Sequence, residues 1–296
     1  MKLLRLVIAF VCSTNLLYAQ DDLLGELSKQ DSLASFPVTA TFKSTRIVNG
    51  HSVETMKKNH LDFRISHRFG RLNSGAYQLF GLDQATMRMG FEYGITDRFM
   101  VGVGRSTSQK VYDFFGKHKL LQQSTGARNM PVSVTLFGGM GIATVNRELE
   151  FQDKIYYSAQ VLIARKFGER FSLQLSPSYL HRNRPEIAGD EKILLAMGIG
   201  GRYKLSKRVS LNGEYFYTAR EKNTVTAPYH DSMSFGVDIE TGGHVFQLHF
   251  TNSLGMIEKQ FIGETTGSWG KGDIHYGFNI SRTFSFDKKS KREAAN

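Results

Sequence analysis

From His60 to the last few residues, the chain alternates apolar and polar side chains in runs of about ten, the length a tilted strand needs to cross a bilayer. Leu61, Phe63, Ile65, His67 and Phe69 share one face of the first run, and Asp62, Arg64, Ser66 and Arg68 share the other. Val209, Leu211, Tyr215 and Tyr217 stand opposite Ser210, Asn212, Glu214 and Thr218 in a later one. A period of two fixes strands, and strands cross a membrane only as a closed barrel, because an open edge would leave backbone groups unpaired in hydrocarbon. The expected fold is all-β: an antiparallel transmembrane barrel of about 12 strands with an N-terminal periplasmic or plug segment.

The joints carry the topology. Thr96-Asp97, Gly168-Glu169, Ser206-Lys207 and Gly242-Gly243 are tight, whereas 70–83, 144–153, 183–191, 220–231 and 252–271 are long. Short turns face the periplasm and long loops face outside in such barrels. Two joints depart from the alternation: a short outer link at 106–109 and a longer inner one at 123–129. Twelve strands from His60 put both barrel ends in the periplasm. The strand-like run Val38–Ile47 would make thirteen, so parity removes it from the wall and makes it a plug, a periplasmic element or a partial strand. The expected divisions are 1–20 signal peptide, 21–59 periplasmic or plug segment, 60–286 barrel and 287–296 basic disordered tail.

Met1-Lys2-Leu3-Leu4-Arg5, the apolar stretch after it and the Ala19-Gln20 junction read as a cleavable secretory signal. The sole cysteine, Cys12, lies inside it, preceded by bulky Val11 where a lipidated cysteine wants a small residue. The mature chain has neither disulfides nor thiolate ligands. Net charge is +11, or +9 once Lys2 and Arg5 are gone. The long outer loops hold seven basic and eleven acidic residues, so the surplus sits in strands and inner turns. Charge is costly against lipid, so wall charges point inward. The expected lumen cluster is Asp62, Arg64, Arg68, Arg88, Glu92, Asp113, Lys117, Arg202, Glu214, Asp238 and Glu240, joined by Lys119 and Lys204. A salt-bridged, side-chain-filled lumen and a narrow anion-preferring pore both fit it. Nucleic-acid binding does not, since the charges form no surface stripe.

Other motifs are weaker. Arg46-Ile47-Val48-Asn49-Gly50 matches a protease N-terminus by chance, with no Gly-Asp-Ser-Gly anywhere. The glycine groups 102/104, 138/139/141 and 198/200/201 lie within strands and lack a following helix. Nine histidines form no ligand pattern, so no metal and no cofactor is expected. His230-Asp231-Ser232 is the one nucleophile-like pair, of interest as a rim hydrolase only if Ser232 faces lipid beside His230 and a third polar residue.

Thr45–Glu54, Leu61–Gly70, Phe80–Asp83, Phe91–Asp97, Val101–Ser106 and Lys110–Asp113 together resemble a family of exported β-barrel proteins of unknown function from Bacteroidota. The resemblance covers most of the mature chain and is densest in its first third. It implies an outer-membrane barrel and carries over no functional residues. Its densest block is the segment that parity excludes from the wall, so 42–54 is expected to fold into the lumen or cap its inner mouth, with Arg46, His51 and Glu54 meeting wall charges. The resulting expectation is a monomeric outer-membrane barrel in contact with lipid, a narrow or plugged channel or accessory barrel passing small anions. The alternatives are a rim hydrolase and a barrel that binds a partner through its loops, chiefly 252–271 with Trp269.

Overall fold

The computed structural model describes residues 34–220 and 229–287 of the chain. The expected signal peptide, the first part of 21–59 and the expected tail beyond Asp287 lie outside them. Twelve antiparallel strands close a barrel in which every strand pairs with its sequence neighbours and the last pairs with the first. They are β1 (His60–Arg71), β2 (Ala85–Gly94), β3 (Phe99–Ser106), β4 (Val111–Leu121), β5 (Ser133–Ala143) and β6 (Ile155–Phe167). The second half holds β7 (Phe171–Arg182), β8 (Ile193–Lys204), β9 (Val209–Ala219), β10 (Ser232–Thr241), β11 (His244–Thr251) and β12 (His275–Ser285). Closure leaves no edge, which is what lets strands stand in lipid.

The strand count, the parity and the inward–outward alternation follow the sequence. Asp62, Arg64, Ser66 and Arg68 are buried, while their outward neighbours stack as a lipid-facing surface: His67 lies flat on Phe278 at 4.9 Å and Phe69 on Tyr276 at 4.4 Å. Two depressions, of about 700 and 420 Å³, are on this outer wall. The first lies where outward Gly116 and Gly138 stand side by side in the ladder, and acyl chains fill such hollows in a bilayer.

Residues 39–58 form no barrel strand. They run as bends with one isolated bridge, Arg46 to His51, that makes a tight hairpin: Ile47 N–H donates to Gly50 C=O at 2.8 Å and Ser52 N–H to Thr45 C=O at 2.9 Å. The long inner link also has a cause. Residues 123–131 and 34–38 form a small unit of their own, in which Ser35–Pro37 pairs antiparallel with Ser124–Gly126.

One expectation is corrected. The segment 252–271 does not project as a partner-binding loop: residues 255–263 are buried, and Glu258–Gly263 form a short helix, α1, folded inward as a lid. Its apolar side chains decide this. Ile257, Phe261 and Ile262 pack on inward-facing Val111, Leu180, Leu194, Ala196 and Phe216, with Phe261 edge-on to Phe216 at 4.9 Å. Each such side chain contributes about 1.5–3 kcal/mol when taken out of water. Trp269 anchors the lid's return, donating from Nε1 to the Met233 carbonyl at 3.1 Å and meeting Phe235 edge-on.

Candidate functional site

The lumen is filled from both ends. From the end that carries the short turns comes the hairpin, residues 41–53, almost all buried. It bonds to ten of the twelve strands, through Arg64, Glu92, Lys117, Thr135, Gln174, Arg202, Glu214, Ser234, Gln247 and Asn279.

Glu214 is the tightest clasp. Its carboxylate accepts the backbone N–H groups of Val48 (3.1 Å), Asn49 (2.7 Å) and Gly50 (3.1 Å), the donors that the hairpin turn leaves unpaired. Lys117 Nζ donates to the carbonyls of Ser52 at 2.7 Å and Glu54 at 2.5 Å, with Thr45 at 3.3 Å. Arg64 donates to Ser44 Oγ at 2.5 Å and Thr45 Oγ1 at 2.9 Å, and the Thr45 hydroxyl donates in turn to Glu92. Arg68 bridges Asn49 Oδ1 at 2.7 Å and Asn279 Oδ1 at 3.1 Å. Arg202 donates to the Ala40 carbonyl at 2.9 Å, Glu54 accepts from Thr41 N–H at 2.8 Å, and Lys43 pairs with Glu240. Asp238 accepts from Gln247 at 2.9 Å, and Arg88 holds Asp113 with two parallel bonds. Lys119 stands 3.9 Å from Glu54, and Lys204 is half-buried near the inner rim.

The wall is shaped to the hairpin. A Cβ on Gly200 would press on the Ile47 methyl, one on Gly94 would run into the Lys57 carbonyl, and the hairpin's own Gly50 leaves room for the Phe216 ring. Phe42, Ile47, Val53 and Ala164 close an apolar cluster beneath the tip.

The lid enters from the other end and is tied mainly to outer loops and strand ends. Arg220 donates to the Gly263 carbonyl at 2.7 Å, and Arg182, bonded to Asp190 at 2.8 Å, points at the same carbonyl. Two cations at a helix C-terminus meet its unpaired carbonyls and the negative end of its dipole. Lys259 is buried between Glu186 (2.8 Å), Glu264 (3.0 Å) and Gln109 (3.0 Å), and Gln260 donates to Ser108 at 3.1 Å. The short outer link of 106–109 is thus the ledge on which the lid rests.

Hairpin and lid meet at mid-lumen. His51 sits between Phe115 and Phe137, ring centroids 4.6 and 4.3 Å away, with Nε2 3.4 Å from Glu258 Oε1 and Arg46 Nη1 3.9 Å from the same oxygen. The His51–Glu258 approach is not an ion pair. Burial, then Arg46, Lys117, Arg88 and Arg64, hold the imidazole well below its ordinary pKa and therefore neutral, while burial pushes the Glu258 carboxyl up against the pull of Arg46. A cavity of about 170 Å³ lies at the hairpin end, lined by Lys43, Glu54, Asp62 and Arg64, and one of about 160 Å³ at the lid end, beside Lys259 and Arg184.

The inward charges singled out by sequence are joined by residues not placed in the lumen from the sequence: Gln174, Gln247, Asn279, Thr135, Arg182 and Glu258. The first four share the inward parity of their strands, and that parity was the available signal. Ser232 also points inward and is buried, while His230 is exposed in the loop before it, so the two do not form a lipid-facing pair. Among the described residues no group of His, Cys, Asp or Glu is placed to hold a metal ion.

The family profile described as "Membrane bound beta barrel domain (DUF5777)" matches residues 42–284, from the hairpin to the end of the barrel. No curated protein matches the chain. Among solved structures, NanC porin aligns with a TM-score of 0.47 at 8% identity, covering 77% of this chain and 99% of that one. An outer membrane channel from Pseudomonas putida F1 gives 0.46 at 12% identity over 78% and 98% of the two chains. LpxR from Salmonella typhimurium gives 0.38 at 11% over 77% and 100%. At these values the likeness carries no inference about cargo.

Proposed function

Because this chain belongs to the DUF5777 family of membrane-bound β-barrel domains and stands in the outer membrane as a twelve-stranded barrel, we propose that it is a channel closed at rest by its own hairpin and lid, preferring small anions when open. The observation that supports this most is the charge at mid-lumen. On the hairpin and wall Arg46, Arg64, Arg88 and Lys117 stand there against Asp62, Glu92 and Asp113, with Glu258 brought in only by the lid, so four cations face three carboxylates once the lid is away. A path opened by lid movement is therefore lined by excess positive charge, which favours anions in a narrow, low-dielectric bore. The hairpin bonds, polar almost throughout, make the closure exchangeable with water in a way an apolar plug would not be.

The same reading takes the barrel as a monomer and as one of the exported Bacteroidota barrels it resembles. Planar-bilayer recordings under a salt gradient test it. The expected record is mostly silent, with infrequent small steps whose reversal potential lies on the anion side, and steps become more frequent in Glu214→Gln. Steady, cation-selective conductance of the unaltered protein would refute the proposal.

A further inference from the structure

The seam between hairpin and lid differs from the other contacts either element makes. Hairpin and lid are each hydrogen-bonded to their surroundings, yet among the described residues the polar approach across the seam is that of Glu258 Oε1 to His51 at 3.4 Å and to Arg46 at 3.9 Å. Polar atoms without a hydrogen-bond partner collect there: Arg46 Nε, both ring nitrogens of His51, Arg88 Nη1, Tyr156 Oη and Glu258 Oε1 itself, all on side chains at most 6% exposed. Orphaned donors at such depth are costly, and a cluster of them marks a place made for something else.

We propose that this seam is a binding site for a compact anion, a small carboxylate above all, that Glu258 occupies as a tethered surrogate. The proposal rests on the closed-channel reading and names the solute class for it. The recognition chemistry is on both sides. Arg46 offers its unpaired Nε and Arg88, its fork closed on Asp113, its unpaired Nη1 as charged donors to a carboxylate, and His51 and the Tyr156 hydroxyl add neutral donors. Arg88, Asp113 and Tyr156 share one level of the wall, since Asp113 and Tyr156 each pair with Gly141 across β4, β5 and β6 while Arg88 grips Asp113.

Glu258 fits the site badly. Its helix is pinned by Lys259, Arg182 and Arg220 to the outer loops and strand ends, so its carboxylate stops more than half an ångström short of the 2.7–2.9 Å of a charge-assisted bond. A free carboxylate is not so held and closes that gap. When it does so, Glu258 loses the counter-charge of Arg46 and is left as a buried unpaired carboxylate, which opposes the apolar packing that seats the lid. Anion binding and lid displacement are then one event, and a transported anion opens its own path.

The test uses the full-length protein in lipid nanodiscs. Sodium acetate is the probe, sodium gluconate the bulky comparator, and Glu258→Gln and Glu258→Ala the variants, each first shown to be folded by heat-modifiable gel mobility. Trp269, the single tryptophan, reports lid position by its emission. Acetate is expected to raise the unfolding midpoint of both variants saturably, and to do so in the unaltered protein only at several-fold higher concentration, with a red shift of Trp269 emission as the lid lifts. Gluconate is expected to do neither. No saturable acetate effect in either folded variant overturns the site. Acetate binding without anion-selective current would keep the site and refute the channel; anion-selective current in Glu258→Gln that acetate neither stabilises nor slows would do the reverse.

Discussion

Replacing Glu214 by Gln should release the hairpin while leaving the barrel standing. The carboxylate takes Asn49 N–H on one oxygen and Val48 and Gly50 N–H on the other. An amide of the same shape has a single acceptor, so at least one buried N–H is left facing an NH₂ group, at about 1–3 kcal/mol. Bonds that survive lose their charge assistance, about 1 kcal/mol each. Against this, the neutral side chain is cheaper to bury. A net loss of about 2–3 kcal/mol in hairpin seating follows, which is roughly 30- to 150-fold in its opening equilibrium at 1.36 kcal/mol per decade. Hydrogen exchange read by mass spectrometry on peptides spanning 42–56 measures this directly. Exchange there should accelerate by that factor while peptides from β5 to β8 stay protected. Unchanged exchange over 42–56, or equal acceleration everywhere, would refute the clasp.

Three further outcomes follow from the same geometry. Gly94→Ala should destabilise the protein by about 1–3 kcal/mol in thermal unfolding, because its methyl meets the rigid Lys57 carbonyl, and Gly200→Ala by clearly less, because it meets the flexible tip of Ile47. Arg182→Ala should loosen the lid by about 1–3 kcal/mol, leaving Arg220 alone to meet Asp190 and the end of α1, and should red-shift Trp269 emission without altering the barrel's gel mobility. Acid should act oppositely on the two closures. Burial raises the Glu258 and Glu264 carboxyls, so their contribution to lid packing is fully present below the ordinary glutamate value and fades as pH climbs through the raised ones. The His51 imidazole is lowered, so its contribution is present above pH 6.5 and is lost as pH falls through its depressed value. Exchange corrected for intrinsic rates should thus show the lid tightening and the hairpin loosening on acidification; parallel changes would contradict the assignment.

The barrel was legible because lipid and lumen impose opposite chemistry on successive residues. Asp62, Arg64 and Arg68 against Phe63, Ile65 and Phe69 leave one register only. Parity then set Val38–Ile47 apart without reference to its own composition, which reads as strand. The lid was not legible. Glu258, Lys259, Gln260 and Thr265 look like a solvated loop, and the lid's partners Ser108, Gln109, Glu186 and Arg220 come from three distant stretches. The available hint was Ile257, Phe261 and Ile262 among otherwise polar neighbours, apolar positions with no strand to join. Counting charge alone also hid Gln174, Gln247 and Asn279, which bond the hairpin at 2.7, 2.8 and 3.1 Å.

The account stands or falls on whether the hairpin tip is shut away inside the resting barrel. Cys12 is the chain's only cysteine, so Ser52→Cys in a Cys12→Ser background places a single thiol at a position that is 0% exposed, where Lys117 grips the backbone. A membrane-impermeant thiol reagent, added to either face of barrels in liposomes, should leave it unmodified until denaturant is added. Labelling of the native protein at the rate of a solvent-exposed cysteine would show an open lumen and contradict the account.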